Sequence, residues 1–159
     1  MAKALVTGSF DPVTLGHMDL ISRAASIFDT VVVGIFVNSS KTYVFSADER
    51  AEMLREACAE RGLGNVTVEV CSGLVARYVE ENGIDVIVKG ARNSTDFEYE
   101  RNMAETNKLI SPKAETMVLF SDPGYSAVSS STVRTLMNYG EDVSNLVPRS
   151  VLKRIKSGS

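Results

Sequence analysis

The run Lys3-Ala4-Leu5-Val6-Thr7-Gly8-Ser9-Phe10-Asp11-Pro12-Val13-Thr14-Leu15-Gly16-His17 decides the fold. Its first five residues read as a buried strand, Gly8 and Pro12 break that strand, and from Gly16 an apolar rhythm of helical period resumes through Met18, Ile21, Ala25 and Phe28. A strand, a turn and a helix mouth therefore meet at His17, the only histidine of the chain. A helix mouth offers unpaired N–H groups and a partial positive charge, which makes His17 a candidate phosphate handler.

Outward from this run, four more apolar stretches rich in β-branched residues occur at 30–37, 66–70, 84–88 and 116–120, with amphipathic or charged stretches between them. Strands alternating with helices imply βαβ units, and near-continuous apolar strands imply a parallel sheet covered on both faces. The expected class is α/β: a doubly wound, Rossmann-like parallel sheet of five strands with helices on both faces. Ser46-Ala47-Asp48-Glu49 and Thr95-Asp96-Phe97-Glu98 match the capping box and predict two helix entries. A terminal helix is expected over about 148–156, with a frayed end at 157–159. Residues 1–159 show no repeat and no linker, and read as one domain.

Composition narrows the function classes. The 159 residues are 44% hydrophobic and 23% charged, and no apolar run approaches the roughly 20 residues that span a bilayer. With no signal-peptide pattern either, a cytoplasmic protein with no membrane partner is expected. A net charge of −3 argues against a broad footprint for nucleic acid, so any anion site must be built locally. Cys58 and Cys71, with one histidine, make no apparent metal-ligand set and read as buried structural thiols.

In open α/β sheets ligands bind beyond the carboxyl ends of the strands. Beyond the first strand lie Gly8, Ser9 and the route to His17; beyond the second, Asn38-Ser39-Ser40-Lys41; beyond the third, Ser72-Gly73-Leu74. The fourth leads into Lys89-Gly90-Ala91-Arg92, and the fifth into the stretch from Ser121 to Ser131. Amide donors, cations, glycines and hydroxyls gather, with few carboxylates, which is the chemistry of a polyanion site. Each residue alone has a plainer reading. His17 could be an exposed or capping side chain, Asp11 a turn or helix-cap carboxylate, and Lys41, Lys89 and Arg92 solvated charges. Ser129-Ser130-Ser131 could be a loop and cap, and Glu100 a solvated helix face.

Taken together, Thr14-Leu15-Gly16-His17 and the distant Val128-Ser129-Ser130-Ser131-Thr132-Val133-Arg134 resemble the two signatures of the nucleotidyltransferase superfamily with a threonine- or histidine-x-glycine-histidine motif. Gly8-Ser9-Phe10-Asp11-Pro12, Lys41, Lys89-Gly90-Ala91-Arg92 and Asp96-Phe97-Glu98-Tyr99-Glu100 narrow the resemblance to the bacterial phosphopantetheine adenylyltransferases, over almost the whole chain. That resemblance implies transfer of AMP from ATP to 4′-phosphopantetheine, with Mg2+ as cofactor, coenzyme A as feedback inhibitor and a homohexameric assembly. It implies that His17, Lys41, Ser9 and Arg92 are catalytic. Ser9, Lys41, Val75 and Lys89 would contact phosphopantetheine. Ser9, Phe10, His17, Gly90, Ala91, Arg92, Glu100, Tyr125, Ser126, Ala127, Val128, Ser129, Ser130 and Ser131 would line ATP.

Three positions depart from the family's usual pattern. Ser9 stands where threonine is common and keeps the hydroxyl, Lys89 replaces a commoner arginine and keeps charge without the planar fork, and Ala91 replaces leucine. The nearest rival is a nicotinamide- or nicotinate-mononucleotide adenylyltransferase, which shares the first motif and a serine-rich late loop. A cytidylyltransferase fits the late loop less well. A non-catalytic nucleotide sensor would not need two lysines aimed at a second phosphate.

Overall fold

Strands and helices alternate as expected: β1 (Lys3–Gly8), α1 (Leu15–Ile27), β2 (Thr30–Phe36), α2 (Ala47–Glu60), β3 (Val66–Cys71), α3 (Val75–Asn82), β4 (Val86–Ala91), α4 (Ser94–Ile110), β5 (Thr116–Phe120), α5 (Ser130–Asn138) and α6 (Arg149–Ser157). The computed structural model describes residues 1–157. All neighbouring strands are parallel, in the order β3-β2-β1-β4-β5. The chain winds outward from β1 through β2 to β3, then returns to the other side of β1 for β4 and β5, so the winding direction reverses between β1 and β4. A crevice opens at such a reversal, and here it lies at the carboxyl ends of the strands that carry Gly8 and Lys89.

Alternation along the strands sorts side chains onto two faces. Ala4 and Val6 of β1, Val31, Val33 and Ile35 of β2, and Val86 and Val88 of β4 pack into the larger apolar cluster. It also takes in Met18, Ile21 and Ala24 of α1, several α2 side chains, Val133 of α5 and Val151 of α6. Leu5, Val32 and Ile87 face the opposite way, onto Ala76 and Val79 of α3 and Ala114. Lys89 lies two residues beyond Ile87 and so emerges on the α3 and α4 side, where its charge meets Glu100 of α4.

Several boundaries differ from the sequence expectation. β4 begins at Val86 rather than at 84, because Gly83 ends α3 in the left-handed conformation and the Ile84 amide bonds back to Val79 O at 3.2 Å. The strand then runs on through Lys89, Gly90 and Ala91, residues that the sequence pattern placed after it. Helix α4 is capped by Asn93, not Thr95, since the Asn93 side chain accepts from the Asp96 amide at 2.9 Å. Ser46 does cap α2, accepting from the Glu49 amide at 3.1 Å. The terminal helix includes Ser157, the first residue of the expected frayed end; 158–159 lie outside the described residues.

Candidate active site

Helix α1 opens with a reciprocal pair. Thr14 is its N-cap and its hydroxyl accepts from the His17 amide at 3.2 Å, while His17 Nδ1 accepts from the Thr14 amide at 3.0 Å. This is a capping box in which histidine takes the place usually held by Glu or Gln. A ring nitrogen that accepts carries no proton, so the neutral imidazole bears its N–H on Nε2. Burial pushes the His17 pKa down to about 4, helped by the positive charges of Lys89 and Arg92. Phe10, which is buried, backs the imidazole edge-to-face at 4.9 Å between centroids. It sits so close under Gly8 that a Cβ there would lie 3.1 Å from the ring.

His17 lines a cavity of about 290 Å³, bounded by Gly8, Lys89, Gly90, Arg92 and the late serine loop. Lys89 Nζ donates to Thr7 Oγ1 at 3.1 Å and pairs with the buried Glu100 carboxylate at 3.2 Å. Arg92 Nε reaches Asp96 Oδ2 at 2.8 Å, and those bonds hold the Asp96 pKa below its ordinary value. Ser129 caps α5 by accepting from the Thr132 amide at 3.1 Å. Ser130 Oγ donates to Pro12 O at 2.8 Å, which ties the start of α5 to the turn after β1.

Of the site residues expected from sequence, His17, Lys89, Gly90, Arg92, Glu100, Tyr125, Val128, Ser129 and Ser130 line this one cavity. Val75 lines a smaller adjoining cavity, with Met103 and Asn107 of α4. Thr7, Lys89 and Glu100 border both. Lys41 is exposed on the loop between β2 and α2, Ser9 is half-buried in the turn after β1, and neither lines either of these two cavities. Phe10 and Ala91 are buried and line neither, while Ser126, Ala127 and Ser131 are exposed at the rim of the late loop.

Two plain readings are corrected. Glu100 is no solvated helix face, being the one buried residue of α4 and the partner of Lys89. Asp11 caps no helix: the residue is 3% exposed, and its carboxylate accepts from the amides of Val44 and Phe45, at 2.8 and 2.9 Å, in the loop that carries Lys41.

The structure adds residues that the sequence pattern did not single out. Thr7, Asp19, Leu20 and Arg23 also line the main cavity. Arg23 bonds Asp19 at 3.3 Å and Phe120 O at 2.8 Å, spanning from α1 to the end of β5. Its four-residue spacing from Asp19 on one helix was the available signal. Among the described residues no group of three or more His, Cys, Asp or Glu is arranged to hold a metal ion. Cys58 and Cys71 are buried and free, and burial raises the Cys58 thiol to about 11.

Residues 5–136 match the Cytidylyltransferase-like family. A phosphopantetheine adenylyltransferase of Shouchella clausii is 43% identical over 156 residues, covering 98% of this chain and 97% of that protein. One of Frankia alni is 42% identical over 158 residues, with the same coverage. In three dimensions the chain is similar to a solved structure from Vibrio parahaemolyticus described as a nicotinate-nucleotide adenylyltransferase, with a TM-score of 0.70. That likeness covers 99% of this chain and 94% of the other at 19% identity, and so speaks for the fold alone.

Proposed function

The chain belongs to the phosphopantetheine adenylyltransferase family, and from that premise we propose how its site transfers the adenylyl group of ATP to 4′-phosphopantetheine, forming dephospho-coenzyme A and pyrophosphate. One observation carries the mechanism. A neutral histidine with its proton on Nε2 shares a cavity with Lys89, Arg92 and the α5 mouth, so the site offers donors and positive charge to a phosphate.

The acceptor phosphate is already ionised at neutral pH and attacks the α-phosphorus directly, in line, without a covalent enzyme intermediate. No proton has to be removed, so no general base is needed; three of the carboxylates that line the cavity, Asp19, Asp96 and Glu100, are paired with cations. What remains for the protein is positioning and stabilisation of developing charge. His17 donates from Nε2 to an α-phosphate oxygen. Arg92 and the amides of Ser129, Ser130 and Ser131 hold the departing pyrophosphate at a helix N-terminus. Lys89, on the border of the two cavities, faces the acceptor phosphate, with Ser9 and Lys41 closing on it from the two neighbouring loops. Val75, at the smaller cavity, is the apolar contact for the start of the pantetheine arm.

A resident magnesium does not fit the residues present. Asp19, Asp96 and Glu100 are each paired with a cation, Arg23, Arg92 and Lys89 respectively, and Asp122, which accepts from the Gly124 amide, stands without a second free carboxylate in the cavity. Magnesium is therefore read as part of the substrate, carried by the triphosphate. The hexamer, cytoplasmic location and coenzyme A feedback belong to the same proposal. Phe97, Tyr99, Met103 and Leu109 leave exposed apolar surface on α4 that a second copy would cover. Coenzyme A combines an adenosine end and a pantetheine end, the two groups that the substrates bring to this site, and would compete with both. No described helix is long and apolar enough to cross a membrane.

The test is to incubate the protein with MgATP and each acceptor in turn and to measure pyrophosphate. Release dependent on 4′-phosphopantetheine is expected. Release dependent on nicotinate or nicotinamide mononucleotide alone, or ATP binding with no acceptor-dependent release, would overturn the reading.

A further inference from the structure

Arg50 is the largest fully buried side chain among the described residues, at 1% exposure, and it forms no ion pair with a carboxylate of those residues. A buried guanidinium without a counter-ion persists only where polar groups replace its water. Here Nε donates to Phe45 O at 3.1 Å and Ser46 O at 3.3 Å, Nη1 donates to Ser9 O at 2.8 Å, and the guanidinium carbon lies 4.0 Å over the Tyr43 ring. One cation thus fastens two separate loops, the turn after β1 at Ser9 and the loop between β2 and α2 at Tyr43, Phe45 and Ser46.

The second loop is gripped from the other side too. Asp11 accepts from the Val44 and Phe45 amides, so Phe45 gives its N–H to a buried carboxylate and its C=O to a buried guanidinium. Tyr43, under Arg50, takes the Asn38 amide on its hydroxyl at 3.2 Å, which closes the segment from 38 to 43 into a ring. Lys41 sits inside that ring, its own amide bonded to Asn38 O at 3.1 Å. Asp11 also receives Arg134 of α5 on its main-chain oxygen at 2.8 Å, so the clamp is anchored to the nucleotide side.

We propose that Arg50 is a positioning residue that sets the spacing of Ser9 and Lys41, and so builds the half-site for the acceptor's phosphate. The inference rests on the reading that Lys41 and Ser9 meet that phosphate. Arg50 touches no substrate itself. It acts by fixing the two loops relative to each other, and a phosphate held between point donors tolerates little change in that distance. Arginine is required because its fork serves both loops at once, whereas a lysine ammonium on a thinner stem reaches one.

The test compares steady-state kinetics of Arg50→Met, Arg50→Lys, Lys41→Ala and the double variant Arg50→Met/Lys41→Ala. Arg50→Met is expected to raise KM for 4′-phosphopantetheine about tenfold, with KM for ATP within about twofold of native. Arg50→Lys should fall between. In the Lys41→Ala background, Arg50→Met should add little, because its effect passes largely through Lys41. Equal increases in both KM values, or full additivity with Lys41→Ala, would overturn the proposal and leave Arg50 a plain structural residue. Should Arg50→Met fail to fold, Tyr43→Phe carries the test: it opens the ring at Asn38 and must raise the acceptor KM selectively, and no change there sinks the idea. If Lys41→Ala alone leaves the acceptor KM untouched, the underlying assignment of Lys41 fails, which is distinguishable from failure of the clamp.

Discussion

Thr14 and His17 hold each other through both of their polar ends: the Thr14 hydroxyl takes the His17 amide, and the His17 ring takes the Thr14 amide. The side chain offered as the transition-state donor is therefore also a structural cap, and the two duties can be separated by mutation.

His17→Ala removes both duties. Turnover should fall by about 10²–10³, as when one aimed donor is lost from an oxyanion site, and stability should fall by roughly 1 kcal/mol with the cap. His17→Gln restores the ordinary capping-box residue, so it should melt near the native temperature while remaining slow. Calorimetry alongside a pyrophosphate assay reads the two effects apart, and a Gln variant with near-native kcat/KM would remove His17 from the chemistry.

Because this is the only histidine, its ring gives a single titration by NMR. The folded pKa is pushed down to about 4, below the unfolded value of 6.5. Between those values the unfolded chain binds a proton that the native chain refuses, so this group's contribution is full above pH 6.5 and is lost as pH falls toward 4. The kcat profile should show no ionisation of His17 from pH 6 to 8. A ring titrating at its ordinary value, with protons on both nitrogens at pH 6, would contradict the assigned tautomer.

Lys89→Met strands the Glu100 carboxylate, which is nearly out of water, beside the cavity. A loss of about 1–3 kcal/mol in urea denaturation is expected. The paired variant Lys89→Met/Glu100→Gln should recover much of it. Acceptor turnover should stay low in both, since neither restores the cation; recovery of turnover in the pair would argue that Lys89 serves only to neutralise Glu100.

Thr14→Val removes the hydroxyl acceptor but keeps the main-chain amide that fixes the imidazole. Stability should drop by about 1 kcal/mol, with turnover reduced far less than in His17→Gln, and Thr14→Ser should restore both. A rate loss as large as that of His17→Gln would mean that the hydroxyl, not the amide, sets the ring.

The parallel sheet was legible because its inner strands β1, β2 and β4 are largely buried and read as continuous apolar runs, and the end that carries the cavity was legible because glycines and cations recur at or after those runs. Three things were hidden for physical reasons. Asn93 and Thr95 each precede an acidic residue by three positions, so sequence alone could not choose the cap of α4. The box at Thr14 escaped because its third residue is histidine, where the usual signal is Glu or Gln. Arg50 left a clearer trace: it occupies the same helical face as Met53, Leu54, Ala57 and Cys58, a charged residue on an apolar stripe. One of its partners, Ser9, lies far away in the chain, and such a partner is set by topology.

Lys89 belongs to β4 itself, not to the loop beyond it. Loops can gain or lose residues over evolutionary time and still deliver a side chain to much the same place; a strand at the middle of a sheet cannot. A single-residue slip in β4 would carry Lys89 across the sheet, into the company of Val86 and Val88, and put a neighbour without charge in its place. The lysine thus inherits the reading frame of the sheet, and its place in the cavity is kept or lost with that frame as a whole.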